Sequence, residues 1–242
     1  MYTGFLFLLF MVAFLYSSVG HGGASGYLAL MSLFDFLPET MRITALILNI
    51  FVSGIAFLFF YRSGNFVWKK CWPFLVSSIP FAFLGGLLEL NAEVFKIILG
   101  LVLLFPVLRL SGLIHYSDSK QINDVPNSAA FLSGALIGIL AGSIGIGGGI
   151  LLTPLLVLFH WAKIKQAAAI SALFIFANSA SGLFARFTQN ASLNSDIYKL
   201  LLIALCGAML GSYMGSERFK SIWLQRVLSF VLLIASVKLI AL

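Results

Sequence analysis

The sequence predicts an all-α membrane protein that crosses the bilayer several times and consists of two homologous repeats. Of its 242 residues, 61% are hydrophobic and 10% are charged, with a mean hydropathy of +1.06, whereas a soluble domain of this length needs far more surface charge. The apolar residues form runs of roughly 18 or more, long enough to cross about 30 Å of hydrocarbon. A glycine-rich stretch also occurs twice, in corresponding positions of the two halves.

Other classes of protein fit this composition poorly. The short alternating segments of a β-barrel are absent. The two cysteines, Cys71 and Cys206, lie far apart and show neither a disulfide framework nor metal-ligand spacing. The formal charge of +7 comes from basic residues scattered over short loops, as in the cytoplasmic loops of membrane proteins. We therefore expect no nucleic-acid partner, no metal and no cofactor.

The apolar segments fall into two sets of five. They are approximately 2–18, 24–37, 43–61, 73–90, 94–114, 128–144, 149–161, 167–187, 197–214 and 222–241. The first segment has no Lys or Arg before its apolar core, and its counterpart lies mid-chain, so we expect it to be a permanent part of the fold and not a signal peptide. The linker between the sets divides the chain into repeat 1 (1–114), a cytoplasmic linker (115–127) and repeat 2 (128–242).

The second segment of each set is short and starts at the duplicated glycine stretch. Residues 18–23 (SVGHGG) return as 143–148 (SIGIGG), an offset of 125 residues. Short, glycine-led segments in matching positions of two halves are the expected signature of broken or re-entrant helices. Further along, Thr44 is echoed by Ser171 and Asn49 by Asn178, at offsets of 127 and 129 residues.

Loop charges predict the orientation of the segments. Arg62, Lys69 and Lys70 put their loop in the cytoplasm. If all ten segments cross the membrane, the loops at 163–165 and 217–220 lie on the same side as the linker, and each repeat has an odd number of crossings. The two repeats are then inverted, which is the arrangement that we favour. If the short segments re-enter instead, each repeat has four crossings and the repeats are parallel.

With these motifs in view, the chain resembles the sulfite exporter TauE/SafE family of membrane permeases over nearly its full length. Residues 145–149 (GIGGG) followed by Pro154 match the family's pattern, and 170–173 (ISAL) is similar to its Thr-Ser-Leu element. The first copy departs from the pattern with His21 and with the Ser25-Gly26 pair. The resemblance implies a multi-pass protein of a bacterial inner membrane that transports a small anion, such as sulfite, a sulfonate, sulfate or another sulfur-containing or carboxylate species.

The duplicated glycines suit an anion at the membrane midplane. Backbone N–H groups at a helix N-terminus offer donors and partial positive charge without a full counter-charge, and glycine allows close approach. We predict that the two stretches face one another and form the substrate site. The candidate substrate-binding residues are Ser18, Gly20, His21, Gly22, Gly23, Thr44, Asn49, Ser143, Gly145, Gly147, Gly148, Gly149, Ser171 and Asn178. The alternatives are tight helix packing for the glycines and hydrogen bonding within their own helix for the serines.

Two ionisable residues carry further hypotheses. His21 is the ionisable group of the glycine stretches, and because an unperturbed imidazole titrates near pH ~6.5, it could couple anion movement to protons. The alternative is a neutral histidine that donates one structural hydrogen bond. Protons and Na⁺ are the candidate coupling ions. Arg42, close before Thr44, could attract anions at the entrance, or it could extend to the interface as arginines at helix ends commonly do.

Three functions compete at this point. The first is a secondary transporter, a permease or exporter, for a small anion. The second is an anion channel with the same glycine-lined constriction. The third is a membrane enzyme, which the absence of a His-Glu-x-x-His motif and of paired intramembrane carboxylates disfavours. No phosphate-binding Gly-x-x-x-x-Gly-Lys-Ser/Thr motif occurs, so coupling to an ion gradient is expected. The sequence leaves open which anion moves, in which direction, and the oligomeric state.

Overall fold

A computed structural model describes residues 2–110, 122–189, 197–217, 233 and 236–240. The regular secondary structure of these residues is helical. The helices are α1 (Tyr2–Ser18), α2 (Ala24–Leu33), α3 (Pro38–Arg62), α4 (Trp68–Leu87), α5 (Ala92–Leu110), α6 (Asn127–Ile144), α7 (Gly149–Leu158), α8 (Ile164–Thr188) and α9 (Ile197–Glu217). Most of the predicted linker and most of the last predicted segment, 222–241, lie outside the described residues, and the division into two domains stays a prediction.

Five of the described helices are long and apolar enough to cross a membrane. These are α3, α4, α6, α8 and α9, while α1, α2 and α7 are shorter apolar helices. The prediction of an all-α protein with several membrane-spanning helices is therefore confirmed. α3 starts five residues before its predicted segment. Pro38 stands in its first turn, where a missing N–H is tolerated. The prediction missed this turn because the turn is polar and the predicted segment was defined by apolar residues.

The two longest helices, α3 and α8, pack antiparallel in the centre of the bundle. Glu39 lies 3.7 Å from Arg186 at one end of the pair. Asn49 donates to Ser179 over 3.3 Å near its middle. Phe60 and Ala168 share an apolar cluster at the other end. We call the end of the bundle where α3 starts the first end, and the end where α3 finishes the second end.

α3 and α8 have equal lengths. Each has 25 residues, and both their starts (164 − 38) and their ends (188 − 62) differ by 126. At this offset Ile175 matches Asn49 and Asn178 matches Val52. The correspondence of Asn49 with Asn178, at an offset of 129 residues, stays a prediction.

Glycines hold two further pairs of helices together, and each pair joins the two repeats. On α6, Gly134, Gly138 and Gly142 lie against the backbone of α4 at Phe74, Ser78 and Ala82. On α9, Gly207, Gly211 and Gly215 lie against the backbone of α1 at Phe10, Phe14 and Ser18. Both partners advance by four residues per contact, so the helices of each pair run in the same direction. Glycine at every fourth position lets two helix backbones approach closely. α6 thus packs on α4, and α9 packs on α1.

The two short helices start near the middle of the α3–α8 pair and run in opposite directions. The first amide of α2, at Ala24, donates to Asn49 Oδ1 over 3.0 Å, and α2 then runs to the first end, where α3 starts. α7 starts at Gly149, which packs against Ile175, and runs to the second end, where α8 starts. The fold therefore brings two helix N-termini towards one level of the bundle.

Candidate functional site

Asn49 lies between the two glycine stretches. Its Oδ1 accepts a hydrogen bond from the Ala24 amide (3.0 Å), and its Nδ2 donates to Ser179 Oγ (3.3 Å). A Cβ added at Gly22 would collide with Asn49 Oδ1, and one added at Gly147 would come within 2.6 Å of Asn49 Nδ2. Asn49 is fully buried, so both ends of its amide are held by the protein. Asn49 therefore lies where the two stretches meet, and its contribution to a substrate site stays a prediction.

Both glycine stretches contact a second common side chain, Ile175 of α8. A Cβ at Gly22 or at Gly147 would lie 2.9 or 2.8 Å from Ile175 Cγ2. The two stretches thus meet around one polar and one apolar side chain, Asn49 of α3 and Ile175 of α8. The two glycine stretches therefore face one another, with the amide side chain of Asn49 and the aliphatic side chain of Ile175 between them.

Positive φ angles let the chain turn into the two short helices. Gly23, before α2, has φ 94°, and Gly147 and Gly148, before α7, have φ 68° and 77°. These angles lie in the left-handed region, which residues with a Cβ rarely adopt. In both helices the first-turn amides have no acceptor within the helix. The Ala24 amide is held by Asn49, which leaves the amides of Ser25, Gly149 and Ile150 as candidate anion donors.

His21 starts a chain of hydrogen-bonding side chains that crosses between the repeats. Its Nδ1 lies 2.9 Å from the Val19 carbonyl oxygen, and its Nε2 lies 2.9 Å from Thr153 Oγ1 of α7. Thr153 Oγ1 is also 2.6 Å from Ser171 Oγ and 3.0 Å from the Gly149 carbonyl oxygen. Because a carbonyl only accepts, Nδ1 carries a proton, and Nε2 can either accept from Thr153 or donate to it. This chain of hydrogen bonds can therefore provide partners for both the neutral and the charged form of the His21 imidazole.

A small cavity lies between the two stretches. Its lining comes from α1, both glycine stretches, the starts of α2 and α7, and α8: Tyr16, His21, Gly22, Gly23, Ala24, Ser25, Ile146, Ile150 and Ile175. The cavity has room for about one water molecule. It contains no Lys or Arg among these lining residues, so its polar character comes from backbone amides, His21 and hydroxyl groups.

Several predicted residues lie elsewhere. Ser18 and Ser143 bond carbonyl oxygens of their own helices, at Leu15 and Leu140, as the alternative for the serines predicted. The predicted site residues thus fall into two groups: those that line the cavity, and those that lie at contacts within or between helices. Asn178 donates to Phe174 of its own helix over 2.8 Å, and its Oδ1 has no partner among the described residues.

Three more candidates mark the two ends of the bundle. Gly20 lies against Ala168 near the second end, and Gly145 lies against the backbone of Arg42 near the first end. Thr44 is buried on α3 two residues after Arg42. Arg42 is 2% exposed and does not extend into an open interface. Of these, only Gly20 and Gly145 belong to the glycine stretches, and both flank the cavity instead of lining it.

The chain matches a model of the Sulfite exporter TauE/SafE family over residues 5–239. The chain belongs to the sulfite exporter TauE/SafE family. It is similar to a Sinorhizobium fredii protein named "Probable membrane transporter protein y4hK", with 31% identity over 98% of this chain and 97% of that protein. It is also similar to a Methanocaldococcus jannaschii protein named "Probable membrane transporter protein MJ0441", with 28% identity over 75% of this chain and 70% of that protein. No solved structure matches it.

Membership of the TauE/SafE family confirms the resemblance inferred from residues 145–149 and 170–173. Together with the five helices that can cross a membrane, it identifies a multi-pass protein of the cell membrane from a family of membrane transporters.

Sequence reasoning missed three polar residues of this TauE/SafE protein. Thr153 is the polar residue of the apolar helix α7 (GILLTPLLVL). Its isolated position among apolar residues was a signal in the sequence that could have indicated a functional role. Ser25 was noticed only as a departure from the family pattern, although its hydroxyl donates to Tyr16 over 2.7 Å at the cavity. Ser179 gave no signal, because small residues are common in transmembrane helices. Only the antiparallel packing of α3 and α8 brings it to Asn49.

Proposed function

We propose that this protein is a secondary transporter, a permease or exporter, that moves a small anion such as sulfite, a sulfonate or another sulfur-containing or carboxylate anion. The observation that carries the proposal is the meeting of the α2 and α7 N-termini around Asn49 and Ile175. Two helix N-termini that approach from opposite directions supply backbone donors and partial positive charge from both sides. A cavity without a fixed cation allows an anion to leave as easily as it enters.

The packing supports inverted repeats with a broken helix in each. The chain passes from Gly20 near the second end to the end of α2 at the first end, and from Gly145 near the first end to the end of α7 at the second end. Each glycine stretch together with its short helix thus traverses the bundle. With α1, α3, α4 and α5, this gives five crossings in repeat 1, and with α6, α8 and α9 it gives four in the described part of repeat 2. The antiparallel packing of α3 and α8 is what a two-fold axis in the membrane plane requires. The basic loops then place the second end in the cytoplasm.

The small cavity supports a closed state between two open ones. A site with room for about one water molecule must widen before it admits an anion. Movement of one repeat against the other would open the site to one face at a time. The names of the two relatives agree with transport, and the family's name includes sulfite export.

Transport of radiolabelled sulfite by the purified protein in proteoliposomes tests the proposal. We expect saturable uptake that depends on a proton or Na⁺ gradient and competition by other small sulfur-containing or carboxylate anions. Single-channel currents would indicate the anion channel instead. The thermal unfolding temperature should also rise in the presence of a bound anion. If it changes with none of sulfite, sulfate, thiosulfate, taurine-like sulfonates and small carboxylates, the whole assignment is contradicted.

Replacing His21 by glutamine is expected to flatten the pH dependence of transport between about pH 5 and 8, where an imidazole changes charge. In the hydrogen-bond chain, a charged His21 donates to Thr153 and a neutral one accepts from it, so protonation can switch the chain. Glutamine keeps a donor and an acceptor but cannot titrate. The measurement is the initial transport rate at a series of pH values in proteoliposomes.

A matched variant tests the same chain without removing the imidazole. Thr153→Val removes the hydroxyl that faces Nε2, and we expect it to shift the pH profile while leaving a pH dependence. If His21→Gln and the wild type share one pH profile, His21 has only a structural role.

A further inference from the structure

Two arginines from different repeats are buried together at the first end of the bundle. Arg42 lies in the second turn of α3 and Arg186 near the end of α8, and they are only 2% and 3% exposed. The antiparallel packing of α3 and α8 brings them to the same end. Their counterparts at an offset of 126 residues are Ala168 and Phe60, which share an apolar cluster near the second end. The α3–α8 pair therefore carries two buried arginines at the first end and apolar side chains at the matching positions near the second end.

Among the described residues, the two guanidinium groups have few hydrogen-bond acceptors, although that of Arg42 also lies over the Phe95 ring, 4.5 Å from its centroid. Arg42 donates to the Leu90 carbonyl oxygen over 3.4 Å, and Arg186 donates to that of Leu88 over 2.8 Å and to Gln189 Oε1 over 3.4 Å. The Nε of each arginine is buried without a partner among the described residues. A guanidinium carries five N–H donors, and burying charged donors without acceptors is costly. The pair can therefore accommodate a further acceptor.

Glu39 stands beside both arginines but does not satisfy them. Its Oε2 lies 3.8 Å from Arg42 Nη1 and 3.7 Å from Arg186 Nη1, which is too far for a hydrogen bond. Its side chain is 51% exposed, so it can turn away into solvent. One carboxylate between two guanidinium groups leaves a net positive charge. The carboxylate has the same oxygen and charge chemistry that an incoming oxyanion would present.

The arginine pair adjoins the proposed route to the cavity. Gly145, which starts the second glycine stretch, packs on the backbone of Arg42. Two residues further along, Gly147 contacts Asn49. Arg42 and Asn49 are separated by about two turns of α3, which corresponds to roughly 10 Å along the helix.

We propose that Arg42, Arg186 and Glu39 form a second anion-binding site, the vestibule, where a small oxyanion displaces the Glu39 carboxylate from the two guanidinium groups. Planar guanidinium groups bind oxyanions through paired, charge-assisted hydrogen bonds. The role of the vestibule rests on the proposed transport function, because it holds the anion at the first end before or after its passage between α2 and α7. The matching positions near the second end, Phe60 and Ala168, are apolar, so the vestibule is not duplicated at these positions and the transporter is asymmetric.

The test is equilibrium binding of sulfite and of sulfate to the full-length purified protein by calorimetry. We expect Glu39→Gln to bind either oxyanion about two- to fivefold more tightly, because the competing carboxylate of a partly exposed ion pair is gone. We expect Arg186→Gln to bind about tenfold more weakly and Arg186→Lys to fall between, since lysine keeps the charge but not the planar donors. Arg62→Gln, at the exposed far end of α3, is the control that keeps wild-type affinity.

A gain of affinity in Glu39→Gln cannot come from misfolding. Unchanged or weaker oxyanion binding by this variant, or no binding at all, would overturn the vestibule. Transport measurements on the same variants separate this outcome from failure of the proposed function. Sulfite transport with the same KM in wild type, Glu39→Gln and Arg186→Gln would overturn the vestibule alone. Binding that follows the expected order in a protein that transports no anion would support the vestibule and overturn the transport proposal.

Discussion

Replacing Asn49 by leucine is expected to abolish anion transport and to lower the free energy of unfolding by about 1–3 kcal/mol. The substitution removes the acceptor of the Ala24 amide and the donor to Ser179 at a fully buried position. Leaving the amide that starts α2 without an acceptor carries the desolvation cost of that group. The helix start then loses its fixed position relative to Gly147. The measurements are transport in proteoliposomes and denaturant unfolding in detergent micelles.

A comparison within the chain sharpens this prediction. Asn178→Leu makes the same change on α8, where Phe174 of the same helix is the one acceptor of the amide among the described residues. We expect a smaller effect on both transport and stability, because no other helix depends on that side chain for a hydrogen bond. Equal losses in the two variants would contradict the placement of the site at Asn49.

Replacing Gly147 by alanine is expected to lower the transport rate at least about tenfold, a change that corresponds to about 1.4 kcal/mol. A Cβ at this position would lie 2.6 Å from Asn49 Nδ2 and 2.7 Å from Ser179 Oγ, so it would push apart the contact between the stretches. The φ of 68° adds strain for any residue with a Cβ. Initial rates at saturating and at low anion concentration, with the amount of folded protein determined for each variant, provide the measurement.

Two further glycines separate the causes of that effect. Gly22→Ala would also collide with Asn49, but Gly22 does not have a positive φ, so this variant tests the collision without the backbone strain. Gly54→Ala is the control, because a Cβ there would make an ordinary contact of 3.5 Å with Phe176 inside a regular helix. Wild-type transport by Gly147→Ala, or an equal loss in Gly54→Ala, would show that the glycine stretches do not form the site.

The sequence predicted the local features of the site better than its assembly. The starts of α2 and α7 fall at the glycine stretches, as predicted, because a cluster of glycines ends a helix whatever surrounds it. The end of α2 at Leu33 was not predicted, since the apolar run continues to Leu37 while Asp35 takes a positive φ of 56°. Hydropathy does not report such a turn.

The contacts between residues of different helices could not be predicted from the sequence. Asn49 and Asn178 were treated as equivalents because they are the same residue in similar surroundings, yet Asn49 bonds Ala24 and Ser179, whereas Asn178 donates to Phe174 of its own helix. Nothing in the sequence indicated that Arg186 lies near Arg42, but the packing of α8 on α3 buries both at the same end of the bundle. A role for Thr153 became apparent only from the structure, in which its Oγ1 lies 2.9 Å from His21 Nε2.

The sequence by itself determined the membrane class, the helical content and the two positions where glycines interrupt the apolar runs. These properties follow from the energy of each segment in hydrocarbon and from the backbone freedom of glycine, which are local. The tertiary structure alone decided which polar residues meet: Asn49 with Ser179, His21 with Thr153, and Arg42 with Arg186. Each of these pairs joins the two repeats, and their registers depend on how helix surfaces more than one hundred residues apart pack together, which no local pattern encodes.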